Sequence, residues 1–178
     1  HGVLIRGADP AGAYYGVQTV LQMLADGGDL PVCHVRDWPD LAVRGVHFDL
    51  KGCMPTFAYL KHAVERLAHY KINTVLMEYE DRLAYPGHPT LAAPSAITMD
   101  QAAELETVAK ANFVQIVPLL QCLGHAEYIL RHDTYAHLRE SDDHVQQMCP
   151  LKPETFAFFK ERADHLMALH PDALYFHI

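Results

Sequence analysis

Residues 78–81 read Glu-Tyr-Glu-Asp, three carboxylates within four positions. Like charges this close cost energy unless water solvates them, a cation such as the adjacent Arg82 pairs with them, or a reaction uses them as acid and base. A solvated loop is the plain reading of this stretch, and an acid–base site is the chemical one. A second chemical pair, His125 and Glu127, lies in Gly-His-Ala-Glu at 124–127. For a single histidine the plain reading is a structural group with its hydrogen bonds satisfied. Thirteen histidines invite a metal reading, but the spacings oppose it. No His-Glu-x-x-His occurs, and His132 and His137 are five apart, one too many for a shared helical face. His125-Ala-Glu127 has the His-x-Glu of zinc deaminases without the Pro-Cys-x-x-Cys that completes that site. The sequence therefore indicates no metal and no cofactor. The glycines of GADPAGAYYG (7–16) match neither the phosphate loop nor the dinucleotide fingerprint, and read as turn and packing residues.

Such side chains need elements to hold them. From Leu41 onward, strand-like runs alternate with helical stripes. RGVHFDL, NTVLMEY, FVQIVPLL and ALYFHI read as four strands. Between them, Phe57, Leu60, Val64 and Leu67 stripe one helix. Thr98 to Gln101 (TMDQ) fits a capping box that opens a second. Phe156, Phe159, Ala163 and Leu166 stripe a third, after Pro153. Alternating strands and helices predict a parallel sheet with right-handed crossovers, and continuous apolar strands predict burial on both faces. Before this region, Val3 to Ile5 reads as a short strand. Asp9 and Pro10 open a helix striped by Tyr14, Val17, Leu21 and Leu24, which Gly27-Gly28 ends. LPVCHVRDWP then reads as another strand. In α/β folds a site gathers at the carboxyl ends of the strands. Those ends are DLKG (49–52), EYEDRLAYPG (78–87), QCLGHAEY (121–128) and FHI (176–178). Arg44 opens the first of the four strands with a fork of donors long enough to reach a ligand.

The totals fit one domain of 178 residues, or one domain and a small piece. Lys and Arg number 14 against 22 Asp and Glu, a formal charge of −8, which argues against a nucleic-acid partner. No apolar run is long enough to span a bilayer, so no membrane partner is expected. No signal peptide is visible, and the compartment is left open. Cys33, Cys53, Cys122 and Cys149 form no Cys-x-x-Cys and read as buried free thiols.

At LAVRGVHFDLKG, INTVLMEYEDRLAYPG, VPLLQCLGHAEYILR and YFHI, the order and spacing of motifs resemble family 20 glycoside hydrolases, the β-N-acetylhexosaminidases. Within that family the likeness is greatest to the hexosaminidase D branch, with its LDLKG, EYED and GH.E segments. It covers residues 41 to 178. The resemblance implies an α/β fold: the first half, about four β/α units, of a (β/α)8 TIM barrel, preceded by the end of a small α/β domain. Residues 1–40 would be the C-terminal part of that accessory domain, and residues 41–178 the N-terminal half of the catalytic barrel. In the family the fourth strand runs on as His-Ile/Leu-Gly-x-Asp-Glu, and His177 and Ile178 match its start. The Glu of that motif is the family's general acid. The Asp holds the substrate's 2-acetamido group, whose carbonyl oxygen attacks the anomeric carbon, a substrate-assisted retaining mechanism.

Residue by residue, Arg44 resembles the family arginine that binds sugar hydroxyls. Asp81 resembles an acidic residue at the end of the second strand. His125 resembles the histidine of the Gly-His-Ala turn, and His177 the one before the catalytic pair. Gln121 stands where the family more often has an aspartate, so an Asp–His hydrogen bond is lost, and Glu127 is the group placed to compensate. The expected partner is a glycoside carrying N-acetylhexosamine. No catalytic residue is assigned within residues 1–178, and this segment by itself is expected not to hydrolyse glycosides. An alternative is a non-catalytic carbohydrate-binding or interaction module. A half barrel has two open sheet edges, and such a module would complete its barrel by oligomerisation. An unrelated barrel enzyme, such as a metal-dependent hydrolase, has no motif in its favour.

Overall fold

The computed structural model describes residues 2–25 and 27–178. Its first helix, α1 (Pro10–Leu24), begins where expected: the Asp9 carboxylate accepts from the Gly12 amide at 2.6 Å, and Pro10 supplies a pre-set φ at the first turn. Its orientation differs from the expected one. Val17, Leu21 and Leu24 are exposed, and Gln18 is the residue buried. The side that meets the rest of the chain is joined by polar contacts. The Gln22 amide donates to the His69 carbonyl, Gln18 Oε1 lies 3.0 Å from His69 Nδ1, and the Tyr14 hydroxyl donates to Asn112. The two flanking segments expected as strands have no regular structure. Among the described residues no ladder includes positions 3–5 or 30–39, and Val32 is fully exposed. The expected strand–helix–strand piece is therefore a helix with two irregular arms.

The sheet holds three parallel strands, β1 (Gly45–Asp49), β2 (Thr74–Glu78) and β3 (Gln115–Leu119), in the order β1-β2-β3. Register runs from Gly45↔Thr74↔Gln115 to Asp49↔Glu78↔Leu119. Helix α2 (Phe57–His69) joins β1 to β2, and α3 (Met99–Ala111) joins β2 to β3. Thr56 caps α2, and both halves of the Thr98–Gln101 capping box are formed on α3. Leu60, Val64 and Ala68 of α2 and Ala102, Leu105 and Ala109 of α3 pack on Val75, Met77 and Ile116 from the sheet's outer face. Each large side chain removed from water there is worth about 1.5–3 kcal/mol. This core holds the strands in register and fixes where their carboxyl ends point.

After β3 come a single helical turn, α4 (Glu127–Leu130), and a long loop closed over a second apolar cluster that includes Leu91, Ile129, Tyr135 and Phe158. Helix α5 (Pro153–Leu169) then returns along the outer face. Its buried face holds Thr155, Phe158, Arg162, Ala163, Leu166 and Leu169; of the expected stripe, Ala163 and Leu166 are buried, Phe159 packs against the core, and Phe156 alone is exposed. Arg162 is fully buried, its guanidinium stacked over Tyr85, Tyr128 and Phe158 and donating to the Tyr128 hydroxyl.

The expected fourth strand is one bridge, Leu119↔His177, made by Leu120 N–H to His177 C=O and His177 N–H to Pro118 C=O. In parallel register the next bond back would run from the amide of residue 118 to the Tyr175 carbonyl. Residue 118 is proline and has no N–H to give. The cysteines are free but not buried: Cys33 and Cys53 are exposed, Cys122 and Cys149 half-buried. Among the described residues no helix is long and apolar enough to cross a membrane.

Candidate active site

The register sets Asp49, Glu78, Leu119 and His177 in one row across the carboxyl end of the sheet. Glu78 is the centre of the polar groups there. Its Oε2 lies 3.0 Å from His47 Nε2 on β1, and its Oε1 accepts from Gln121 Nε2 at 2.8 Å from beyond β3. Lys51, in the loop after β1, reaches both acids: its Nζ donates to Glu80 at 2.9 Å and stands 3.8 Å from Glu78. Glu78, Glu80 and Asp81 are all buried. The plain reading of a solvated loop is overturned, and the three carboxylates are held by partners instead.

Asp81 points to a different set of groups. Arg131 Nη2 stands 3.3 Å from one carboxylate oxygen, and Arg82 Nε 3.2 Å from the other. The second contact is an ion pair without hydrogen-bond alignment, since Arg82 Nε has no hydrogen-bond partner. The turn that separates Glu80 from Asp81's partners is tight: Glu80 has φ of 44°, a left-handed backbone that side chains avoid. Holding a non-glycine residue there costs about 1–3 kcal/mol. That cost falls at the residue which folds back on Lys51.

The two glutamates are driven apart electrically. Burial pushes the Glu80 carboxyl up, Lys51 opposes it, the neighbouring Glu78 carboxylate adds to it, and the balance is about 7. Burial also pushes Glu78 up, but donation by Gln121, the Glu80 carboxyl, Lys51 and His47 outweighs it and holds Glu78 below the ordinary range. Lys51 is raised, chiefly by its bond to Glu80. One cation thus neutralises one carboxylate, and the second keeps its proton near neutrality. Two acids with separated proton affinities can act as donor and acceptor in one place.

Of the residues singled out from sequence, Gln121, Asp81 and His177 come to this end of the sheet. Beyond β3, His125 lies in the loop and Glu127 opens α4, both exposed. Among the described residues they share no hydrogen bond, so the geometry gives no support to Glu127 compensating for Gln121. Arg44 lies elsewhere. It sits before the first residue of β1, at the opposite end of the sheet, where its Nε donates to the Lys71 carbonyl and its Nη1 to those of Leu41 and Ala42. It borders a separate open cavity of about 710 Å³ beneath the strands, with Tyr15, Trp38 and Gln115. In this arrangement it braces the chain's entry into β1. Sequence reasoning missed His47 and Lys51, because their partners lie 31 and 29 residues away. Inward alternation along β1 was the available signal. Among the described residues, no group of three or more His, Cys, Asp or Glu side chains is arranged to hold a metal.

Residues 1–38 match the family model described as glycosyl hydrolase family 20, domain 2. Hexosaminidase D of Bos taurus is 36% identical over 137 residues, 76% of this chain and 40% of that protein. The chain belongs to glycosyl hydrolase family 20. Hexosaminidase D of Homo sapiens is 34% identical over 76% of this chain and 28% of its own length. The chain therefore spans well under half of the family 20 relatives it matches. Two solved structures superpose closely. The β-N-acetylhexosaminidase of Streptomyces coelicolor gives a TM-score of 0.78 at 24% identity, covering 94% of this chain and 40% of that one. The β-N-acetylhexosaminidase of Bacteroides fragilis gives 0.81 at 20% identity, covering 93% and 38%. At these identities the likeness is one of fold. It shows a shared fold over nearly all of the chain, an α/β architecture built on a parallel sheet.

Proposed function

We propose that this chain is the first part of a retaining exo-β-N-acetylhexosaminidase. Residues 1–40 would end an accessory α/β domain, and residues 41–178 would form the first half of a (β/α)8 barrel. The observation that carries this reading is the convergence of Glu78, Asp81, Gln121 and the His177 row on one end of a parallel sheet. That is where the sugar of a terminal N-acetylhexosaminide would lie. The general acid and the acetamide clamp are the Asp-Glu pair expected after Ile178. The 2-acetamido oxygen of the substrate, held by that Asp, attacks the anomeric carbon while the Glu protonates the leaving oxygen. Water then opens the oxazolinium intermediate with retention.

In this reading Asp81, held by Arg82 and Arg131, offers a fixed negative charge at the second strand's end. His125 and His177 border the substrate, and Glu127 lies at the rim. Glu78 and Glu80 do not replace the absent pair. Both lie on one side of the sheet end, joined through Lys51, whereas the reaction needs an acid on the leaving oxygen and a clamp on the other side of the anomeric carbon.

The test is hydrolysis of an aryl N-acetylglucosaminide by two proteins, residues 1–178 alone and a longer chain that continues through the Asp-Glu pair. Turnover with retention by the longer chain only is the expected result. Turnover by residues 1–178, abolished by Asp81→Asn, would reject the assignment of the acid to residues beyond Ile178.

A further inference from the structure

Tyr79 lies between Glu78 and Glu80 in sequence, yet its side chain points the other way, into the layer under the helices, where it is fully buried. Its hydroxyl lies 2.9 Å from His170 Nε2, and His170 Nδ1 lies 2.7 Å from Glu106 Oε2. A carboxylate only accepts, so Nδ1 carries the proton toward Glu106. In the neutral ring Nε2 then accepts from the tyrosine. The chain joins three elements: Glu106 on α3, His170 at the end of α5 and Tyr79 at the end of β2. His170 is buried too, and none of the three residues takes part in the proposed reaction.

The position of Tyr79 gives the chain its consequence. The Tyr79 carbonyl accepts from the Arg82 amide at 2.8 Å and closes the short turn Glu80–Arg82. Within that turn Glu80 is in its left-handed conformation, and there its carboxyl meets Lys51 and faces Glu78. Such a backbone persists only where its surroundings over-determine it. The Tyr79 ring and its hydrogen bond supply a fixed point one residue away.

We propose that Glu106, His170 and Tyr79 form a positioning chain that fixes the turn carrying Glu80 and so sets the arrangement of the Glu78–Glu80 carboxyl pair. The inference rests on the hexosaminidase reading only for its effect on catalysis, and its test is read without substrate. The charged and titratable groups facing Glu80 are Lys51 from the loop after β1, Glu78 of β2, and Tyr128 of α4. Asp81, paired with Arg82 and Arg131, adjoins it. All of these are left intact by changes in the chain. Releasing the turn lets water reach Glu80, which relaxes the burial that chiefly raises it.

The experiment follows the side-chain carboxyl of Glu80 by NMR in glutamate-labelled protein across pH 4 to 9. The unaltered chain is expected to titrate near 7. Tyr79→Phe, which removes one oxygen and keeps the ring, is expected to lower that midpoint by at least one pH unit. Glu106→Gln, at the outer end, is expected to lower it by a smaller amount, and it serves if Tyr79→Phe does not fold. Met167→Ala is the control: it trims an exposed side chain of the same helix, so the Glu80 midpoint should stay put. An unmoved midpoint in both chain variants, an equal shift in Met167→Ala, or an ordinary carboxylate midpoint in the unaltered chain would each overturn the proposal. Loss or presence of glycoside hydrolysis would bear on the proposed function and leave this result standing.

Discussion

The side-chain amide of Gln121 donates to Glu78 Oε1 at 2.8 Å, from beyond the end of the neighbouring strand. Read from sequence, Gln121 is the loss of an aspartate. In space it is a neutral donor facing a buried carboxylate that His47 and Lys51 also hold. An acid at this position would set a third buried charge beside Glu78 and Glu80.

Gln121→Glu tests that relationship with almost no change in shape. The new carboxyl and Glu78 would both be raised in the folded chain. A raised acid contributes stability that is lost as pH climbs from its unfolded value through its folded one. The variant should therefore be close to the parent near pH 4 and lose about 1–3 kcal/mol by pH 8. Urea denaturation at the two pH values measures this, and an equal loss at both would refute it.

Glu80→Gln probes the other acid. In the folded chain Glu80 is raised from 4.5 to about 7, so its contribution is fully present below about 4.5 and falls away as pH rises to 7. A glutamine keeps the neutral form at every pH. The variant should match the parent at pH 4 and exceed it at pH 8, by about 1–3 kcal/mol, since one pKa unit corresponds to about 1.4 kcal/mol. The lowered Glu78 acts in the opposite sense and keeps the gain near the lower figure. Parallel stability curves from pH 4 to pH 8 would count against the separated pair.

Arg44→Lys separates a brace from a ligand-binding fork. Lysine cannot reproduce three bonds to Lys71, Leu41 and Ala42. The expected loss is about 1–3 kcal/mol of stability from carbonyls left without donors. In a longer, active chain KM for an N-acetylglucosaminide should be unchanged. A tenfold rise in KM with no change in melting temperature would return Arg44 to the sugar.

Thr98→Ala removes the hydroxyl that accepts from Gln101, and with it the reciprocal geometry of the box. The expected cost is about 1 kcal/mol. Thermal unfolding of the variant beside Thr107→Ala, an exposed position inside α3, checks that the loss belongs to the helix start.

What could be read in advance follows from the range of the forces. The Thr98–Gln101 box and the Asp9-Pro10 start are contained within four residues, so the sequence carries them whole. β2 and β3 stand out because they are buried on both faces, whereas β1 (GVHFD) is covered on one side only and departs from the burial expected of it. The direction of α1 did not stand out, because periodicity locates an apolar stripe and says nothing about which side meets a neighbour. Gln18 and Gln22 settle that by reaching His69, some fifty residues on. Lys51 and His47 were invisible for the same reason. The fourth strand shrank to one bridge, and Pro118, which has no amide hydrogen, removes one of the bonds that would have extended it.

The backbone of Glu80 has a practical consequence for anyone who evolves this chain in the laboratory. At φ of 44° glycine pays no steric penalty, and it carries no carboxyl to leave charged beside Glu78. A library sorted for heat tolerance alone would enrich Glu80→Gly. Its winners would be robust proteins missing one of the two carboxyls at the end of β2. Checking at each round, rather than after the last, that the Glu78–Glu80 pair is still present is the safeguard this one torsion angle recommends.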